Sequence, residues 1–255
     1  MFPLVPDRRP GVPCLQAAYV ALVHETFQKW FDQPKMDRPE YIDLSPEDLK
    51  VWRTMRAAPI KFQRFSDGLM IYVSLHEYES TSPCSGIFSV LGACATAILS
   101  SLGAKTPIRG GIDAGTGMEM NEDELYGPVV ARAYKLESRF AKHPRIVVGD
   151  QFVHYLKSAV ESPETGRKAD FEKLMAQTCL DFLMVDIDGL TAIDFLGKGY
   201  KTHIAQSLNP MLVSMSYDYV VEQYNRHKEN RDTKLAIRYA ILLDYFESRK
   251  ENWGL

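Results

Sequence analysis

Residues 60–75 read Ile60-Lys61-Phe62-Gln63-Arg64-Phe65-Ser66-Asp67-Gly68-Leu69-Met70-Ile71-Tyr72-Val73-Ser74-Leu75. The first six alternate apolar with charged or polar side chains, the period of a strand with one buried face. Ser66-Asp67-Gly68 supplies turn chemistry, and Leu69–Leu75 is an almost unbroken apolar run suited to a buried strand. The stretch predicts a β-hairpin with an aspartate near its tip. Downstream, 86–103 is an uncharged apolar segment of helical length, and Pro107–Gly117 (PIRGGIDAGTG) is a strand whose glycines allow close backbone approach. A helix over 127–141, a short strand over 145–148 and a helix over 151–160 follow. Upstream, 14–31 has the pattern of an amphipathic helix, with Ala18, Leu22, Phe27 and Trp30 on its apolar face. Ser45-Pro46-Glu47-Asp48 is a helix start, with Ser45 as N-cap.

The order helix, hairpin, helix, strand, helix, strand predicts an α+β fold: a ferredoxin-like antiparallel sheet covered by helices. Its first strand is poorly represented, because residues 1–13 carry four prolines. The polar stretch 161–170 is a linker, so we expect an α+β domain over 1–160 and a helix-rich C-terminal extension over 165–255. That extension holds helical patterns at 171–182, 201–228 and 232–250.

The 255 residues are 45% hydrophobic and 25% charged with a net charge of -3, an ordinary globular balance. No basic field predicts a nucleic-acid partner. Cys14, Cys84, Cys94 and Cys179 form no CxxC pair, which removes zinc and disulfide frameworks and suits a reducing compartment. MFPLVPDRRPGVP lacks a signal-peptide core, and the uncharged stretch 80–104 reads as a buried core helix, not a span. A cytoplasmic protein without a membrane partner is expected.

Two segments together resemble the class III adenylate/guanylate cyclase family. Phe65-Ser66-Asp67-Gly68 is similar to that family's strand–Gly-Asp–strand hairpin. Ile108-Arg109-Gly110-Gly111-Ile112-Asp113-Ala114-Gly115, followed by Leu125-Tyr126-Gly127-Pro128-Val129-Val130-Ala131-Arg132-Ala133-Tyr134-Lys135-Leu136-Glu137-Ser138, is similar to its Gly-Ile-x-x-Gly strand and Gly-led helix ending in Leu-Glu. Uncharacterised bacterial proteins with an RGGI strand, a GPxxxxAYxLES helix and a PRIVV strand look closer still. Pyrimidine cyclases of antiphage systems look more distant. The cyclase-like resemblance covers roughly 60–150.

The resemblance implies attack of a ribose 3′-OH on the α-phosphorus of a nucleoside triphosphate, at a site shared across an antiparallel homodimer. Two divalent ions, Mg²⁺ or Mn²⁺, would be held by two aspartates. Asp67 matches the second of these. Only Asp7, between prolines, stands near the place of the first. The family's asparagine position falls on Ala131, and its arginine position on Lys135, a point charge without a planar fork. Arg132 is a candidate substitute beside Lys135 for the catalytic cation. Lys61, Arg64, Phe65, Glu124 and Tyr126 are candidates for nucleotide contacts. Asp113 is either a group near the metal or a satisfied polar residue at a strand end.

The expected function is therefore a degenerate cyclase-like protein acting as a nucleotide-binding, regulatory or interaction module. A divergent metal-dependent cyclase, with a pyrimidine nucleotide among its candidate substrates, and a purely structural partner domain stay open beside it. Other chemistries fall away. Met184-Val185-Asp186-Ile187-Asp188-Gly189 invites a calcium loop, but in that register its first position is Met184 and its closing position Phe195, so it reads as a turn. Met120 breaks GxGxxG, His24-Glu25 and His76-Glu77 lack a second histidine, and no GxSxG is present.

Overall fold

The computed structural model describes residues 45–47, 50, 56–65, 68–76, 81–120, 124–204 and 210–254. The helix expected at 14–31 and both metal aspartate candidates, Asp7 and Asp67, lie outside these residues. A two-residue strand β1 (Arg56–Ala57) precedes β2 (Ile60–Phe65) and β3 (Gly68–Val73), which pair antiparallel in the register Ile60↔Val73 to Phe65↔Gly68. β4 (Thr81–Ser82) pairs with β1 and leads into helix α1 (Pro83–Gly103).

Helix α1 is the axis of the molecule. Ser82 caps it by accepting from the Ser85 N–H, and Pro83 stands in its first turn, where no N–H is missed. It is long and apolar enough to cross a membrane, yet 72% of its apolar window is buried by protein, as in the core helix of a soluble fold. Its hydroxyls are accommodated by back-bonding within the helix: Ser89 to the Ser85 carbonyl, Thr96 to Gly92 and Ser101 to Ile98. Glu172, from a later helix, accepts from the Cys84 N–H and so adds a carboxylate to a first turn that has no acid of its own.

After α1 come β5 (Gly110–Ile112), a small arm of β6 (Met118–Glu119) and β7 (Leu125–Tyr126), helix α2 (Pro128–Lys135) and a π turn over Leu136–Phe140. Then follow β8 (Ile146–Val148), α3 (Asp150–Val160) and α4 (Arg167–Leu180). The hairpin β9 (Leu183–Val185) and β10 (Thr191–Ile193), α5 (Lys198–His203) and the helical pair α6 (Pro210–Glu229) and α7 (Thr233–Trp253) complete the chain.

The sequence expectation of an α+β protein is met, and its sheets are small. The main one has four strands in the order β5-β8-β10-β9, with β5 and β8 parallel and the rest antiparallel. The β2–β3 hairpin forms a separate two-stranded sheet among the described residues. One core cluster runs from Cys84 to Phe246, and residues after 165 supply two strands and much of that core. Phe182, Phe88 and Tyr200 meet edge to face within it, and Phe195 packs on Tyr245 and Phe246.

Candidate nucleotide site

Strand β5 and helix α2 are pressed together by the absence of a side chain. A Cβ at Gly111 would lie 2.7 Å from Leu136 Cβ and 2.8 Å from Glu137 N, so only glycine admits this crossing. The π turn falls at this crossing, and two arginines take the carbonyls at its end. Arg145 Nη2 donates to the Phe140 carbonyl at 2.9 Å, and Arg109 Nη1 to Ala141 at 3.2 Å. Arg109 also pairs with Glu137 at 2.9 Å. The arginines immediately before β5 and β8 thus fasten α2 to the sheet.

At the far end of β5, Asp113 is nearly buried and fully used. Its Oδ1 accepts from the Ala114 N–H at 2.9 Å and its Oδ2 from Arg132 Nε at 2.6 Å. Arg132 Nη2 also donates to the Ala114 carbonyl at 2.7 Å. Gly115, at φ +156°, leaves the space that this guanidinium fills. Arg132 therefore holds the loop after β5, and Asp113 is the satisfied polar residue at a strand end.

The hairpin and the β6–β7 arm come together. Lys61 pairs with Glu119, the Tyr72 hydroxyl lies 3.4 Å from the same carboxylate, and Gln63 Oε1 accepts from the Leu125 N–H at 3.3 Å. Arg64 is exposed with its guanidinium 5.8 Å from the Phe62 ring, and Phe65 pairs through its backbone with Gly68. Tyr126 donates to Glu124 at 3.0 Å, and that carboxylate pushes the phenol above its ordinary value. Lys135 is exposed on the outer face of α2 beside Tyr134, which is 68% exposed, and forms no ion pair among the described residues. Ala131, one turn earlier on the helix, is also exposed. The structure thus joins Lys61 to the arm that carries Glu124 and Tyr126, commits Arg132 elsewhere and leaves Lys135 outward.

One cluster was missed by the sequence reading. Arg145, 2% exposed, bonds Asp186 through Nη1 and Asp188 through Nη2 at 2.5 Å. His143 Nε2 lies 3.4 Å from Asp186. Although burial opposes ionisation of Asp186, hydrogen bonds from His143, the Ile187 N–H and Arg145 hold its carboxyl well below the usual range. The two acids of the rejected calcium loop are therefore anchors of a turn, with Gly189 at φ +79°. The only signal was an arginine before an otherwise apolar strand.

Among the described residues, which exclude Asp7 and Asp67, no group of three or more His, Cys, Asp or Glu side chains could hold a metal. Comparison with protein-family models, with curated proteins and with solved structures finds no match.

Proposed function

We propose that this chain is a degenerate class III cyclase-like protein that binds a nucleoside triphosphate without cyclising it and works as a homodimeric regulatory or interaction module. The observation that carries the reading is the commitment of Arg132. With both Asp113 oxygens and the Ala114 carbonyl engaged, its guanidinium is spent on the loop after β5. Lys135 is then the cation of α2 left for a phosphate, and a lysine cannot grip a transferring phosphoryl group bidentately. On this reading the β2–β3 hairpin and β5 belong to one ferredoxin-like arrangement. Their order, with the buried helix α1 between them and α2 pressed onto Gly111, supports it. Lys61, Arg64 and Phe65 on the hairpin and Glu124 and Tyr126 on the arm would frame the nucleotide, and Asp67 would be the remaining ligand for Mg²⁺ or Mn²⁺. Exposed Met118, Met120, Tyr126 and Tyr134 on the arm and α2 suit a second copy of the chain.

The test is titration calorimetry with ATP, GTP, CTP and UTP in Mg²⁺ or Mn²⁺, beside mass spectrometry of the products. Stoichiometric binding without product is expected, weakened roughly tenfold or more by Lys135→Ala, the loss of one charge-assisted hydrogen bond. A cyclic product that vanishes in Asp67→Ala would replace this reading with a divergent cyclase. No binding of any nucleotide would leave a purely structural partner domain.

A further inference from the structure

The turn between α6 and α7 concentrates positive charge in an otherwise acidic chain. Residues 226–238 carry Arg226, Lys228, Arg231, Lys234 and Arg238 against Glu229 and Asp232, a net +3 in a protein of net -3. The remainder of the chain therefore carries -6. None of the five cations forms a salt bridge among the described residues. Glu222 pairs with Lys105 just past the end of α1, and α6 continues seven residues beyond it to Glu229, about 10 Å further.

Two of these cations stand where the fold gains nothing from them. Arg231 adopts φ +56°, a left-handed conformation that glycine or asparagine accepts with less strain. Lys234 lies in the first turn of α7, which has no acidic residue, so its charge faces the positive end of the helix dipole. Arg226 and Lys228 favour the end of α6, and Lys228 also rests over the Tyr224 ring at 5.5 Å, so stability of the helix accounts for them. It does not account for Arg231 and Lys234.

The tip is also preformed. Asp232 caps α7 by accepting from the Leu235 N–H at 3.1 Å, and the His227 ring stacks on Tyr239 at 5.6 Å. Ile237, 61% exposed, lies three residues after Lys234 on α7, to one side of the face that Lys234 and Arg238 share. No aromatic ring is exposed along 226–238 to stack on bases. Cations at the tip with an exposed aliphatic side chain in the next turn match a surface that is anionic outside and apolar beneath.

We propose that the α6–α7 tip docks on anionic lipid headgroups, holding the chain at a membrane surface by charge and by shallow insertion of Ile237. This departs from the expectation of no membrane partner, which rested on the missing signal-peptide core and on the burial of the 80–104 stretch; docking of a basic tip depends on neither.

The test uses the purified full chain and vesicles of phosphatidylcholine alone or mixed with phosphatidylserine, read by co-sedimentation. Binding to the mixed vesicles at low salt, its loss at high salt and no binding to phosphatidylcholine are expected. Each basic side chain near such a surface is worth about fivefold in affinity, so Lys228→Gln/Arg231→Gln/Lys234→Gln should lose about a hundredfold. Arg231→Gly is the sharper probe: it should raise the melting temperature by relieving the left-handed strain and lower vesicle affinity about fivefold. Absence of binding to the mixed vesicles, or unchanged binding in the triple variant, overturns the proposal. So does tighter binding to a double-stranded oligonucleotide than to vesicles at the same salt, which would assign the tip to nucleic acid.

Discussion

Arg145→Ala tests whether the turn after β9 is held by charge. The guanidinium is 2% exposed and the Asp186 side chain 9%, so the substitution strands a carboxylate that water barely reaches. Removing one partner of a buried pair costs about 3–5 kcal/mol. Asp188, with its side chain 42% exposed, is screened by water and adds little. The Phe140 carbonyl at the end of the π turn loses its donor as well. For a chain of this size each kcal/mol moves the melting temperature by about 2–4 °C, so calorimetry at pH 7 should show a fall of about 6–20 °C. The pH dependence gives an independent check. Asp186 and Asp188 are held below their ordinary value of 3.8, so their contribution is complete well above that pH and is lost as pH falls below it toward their folded values. Protonation also neutralises the carboxylate that the variant leaves stranded. The gap between wild type and Arg145→Ala should therefore be widest near pH 7 and narrow below about pH 4. Adding Asp186→Asn to the variant should recover part of the loss at pH 7. Equal melting temperatures, or a gap that does not change between pH 7 and pH 3, would refute the reasoning.

Two further substitutions read the packing around α1 and α2. Gly111→Ala places a Cβ against Leu136 and the Glu137 backbone, so urea unfolding should show a loss of about 1–3 kcal/mol, and an unchanged midpoint would mean that α2 lifts freely from β5. Thr96→Val removes the hydrogen-bond partner of the Tyr200 hydroxyl at 2.9 Å, and since Tyr200 is fully buried the loss should be about 1–3 kcal/mol, whereas Thr96→Ser should stay near wild type.

What could be read in advance was what depends on neighbours in sequence. The alternation of Ile60–Phe65 gave the hairpin, and the uncharged run 86–103 gave a buried helix that starts three residues earlier, at Pro83. The earlier start follows from the Ser82 cap and the proline in the first turn. The glycines of 107–117 marked close approach, and Gly111 is where the approach occurs. The segment 184–196 gave no strand pattern, because β9 and β10 have three residues each, too few to show a period of two. The helix expected over 127–141 changes to a π turn at Leu136, a change enforced by strand β5 beneath it and by arginines outside the helix. The acid that takes Arg132, Asp113, lies 19 residues away at the end of β5, not one turn along its own helix. Ion pairs across elements leave no periodic trace in the sequence.

The placement of cations bears directly on the proposed binding of a nucleotide without cyclisation. Around β5, β8 and α2, three arginines are engaged by the fold: Arg109 by Glu137 and Ala141, Arg132 by Asp113 and Ala114, Arg145 by Asp186 and Asp188. Freeing any of them for a ligand would expose the same buried or half-buried acid that it now neutralises, so a bound phosphate would have to outbid a preformed pair. Lys135 carries no such obligation among the described residues, and Arg226, Arg231, Lys234 and Arg238 at the α6–α7 tip carry none either. On α2 the guanidinium of Arg132 is thus tied to Asp113, while Lys135, which forms no ion pair among the described residues, is a point charge without a planar fork.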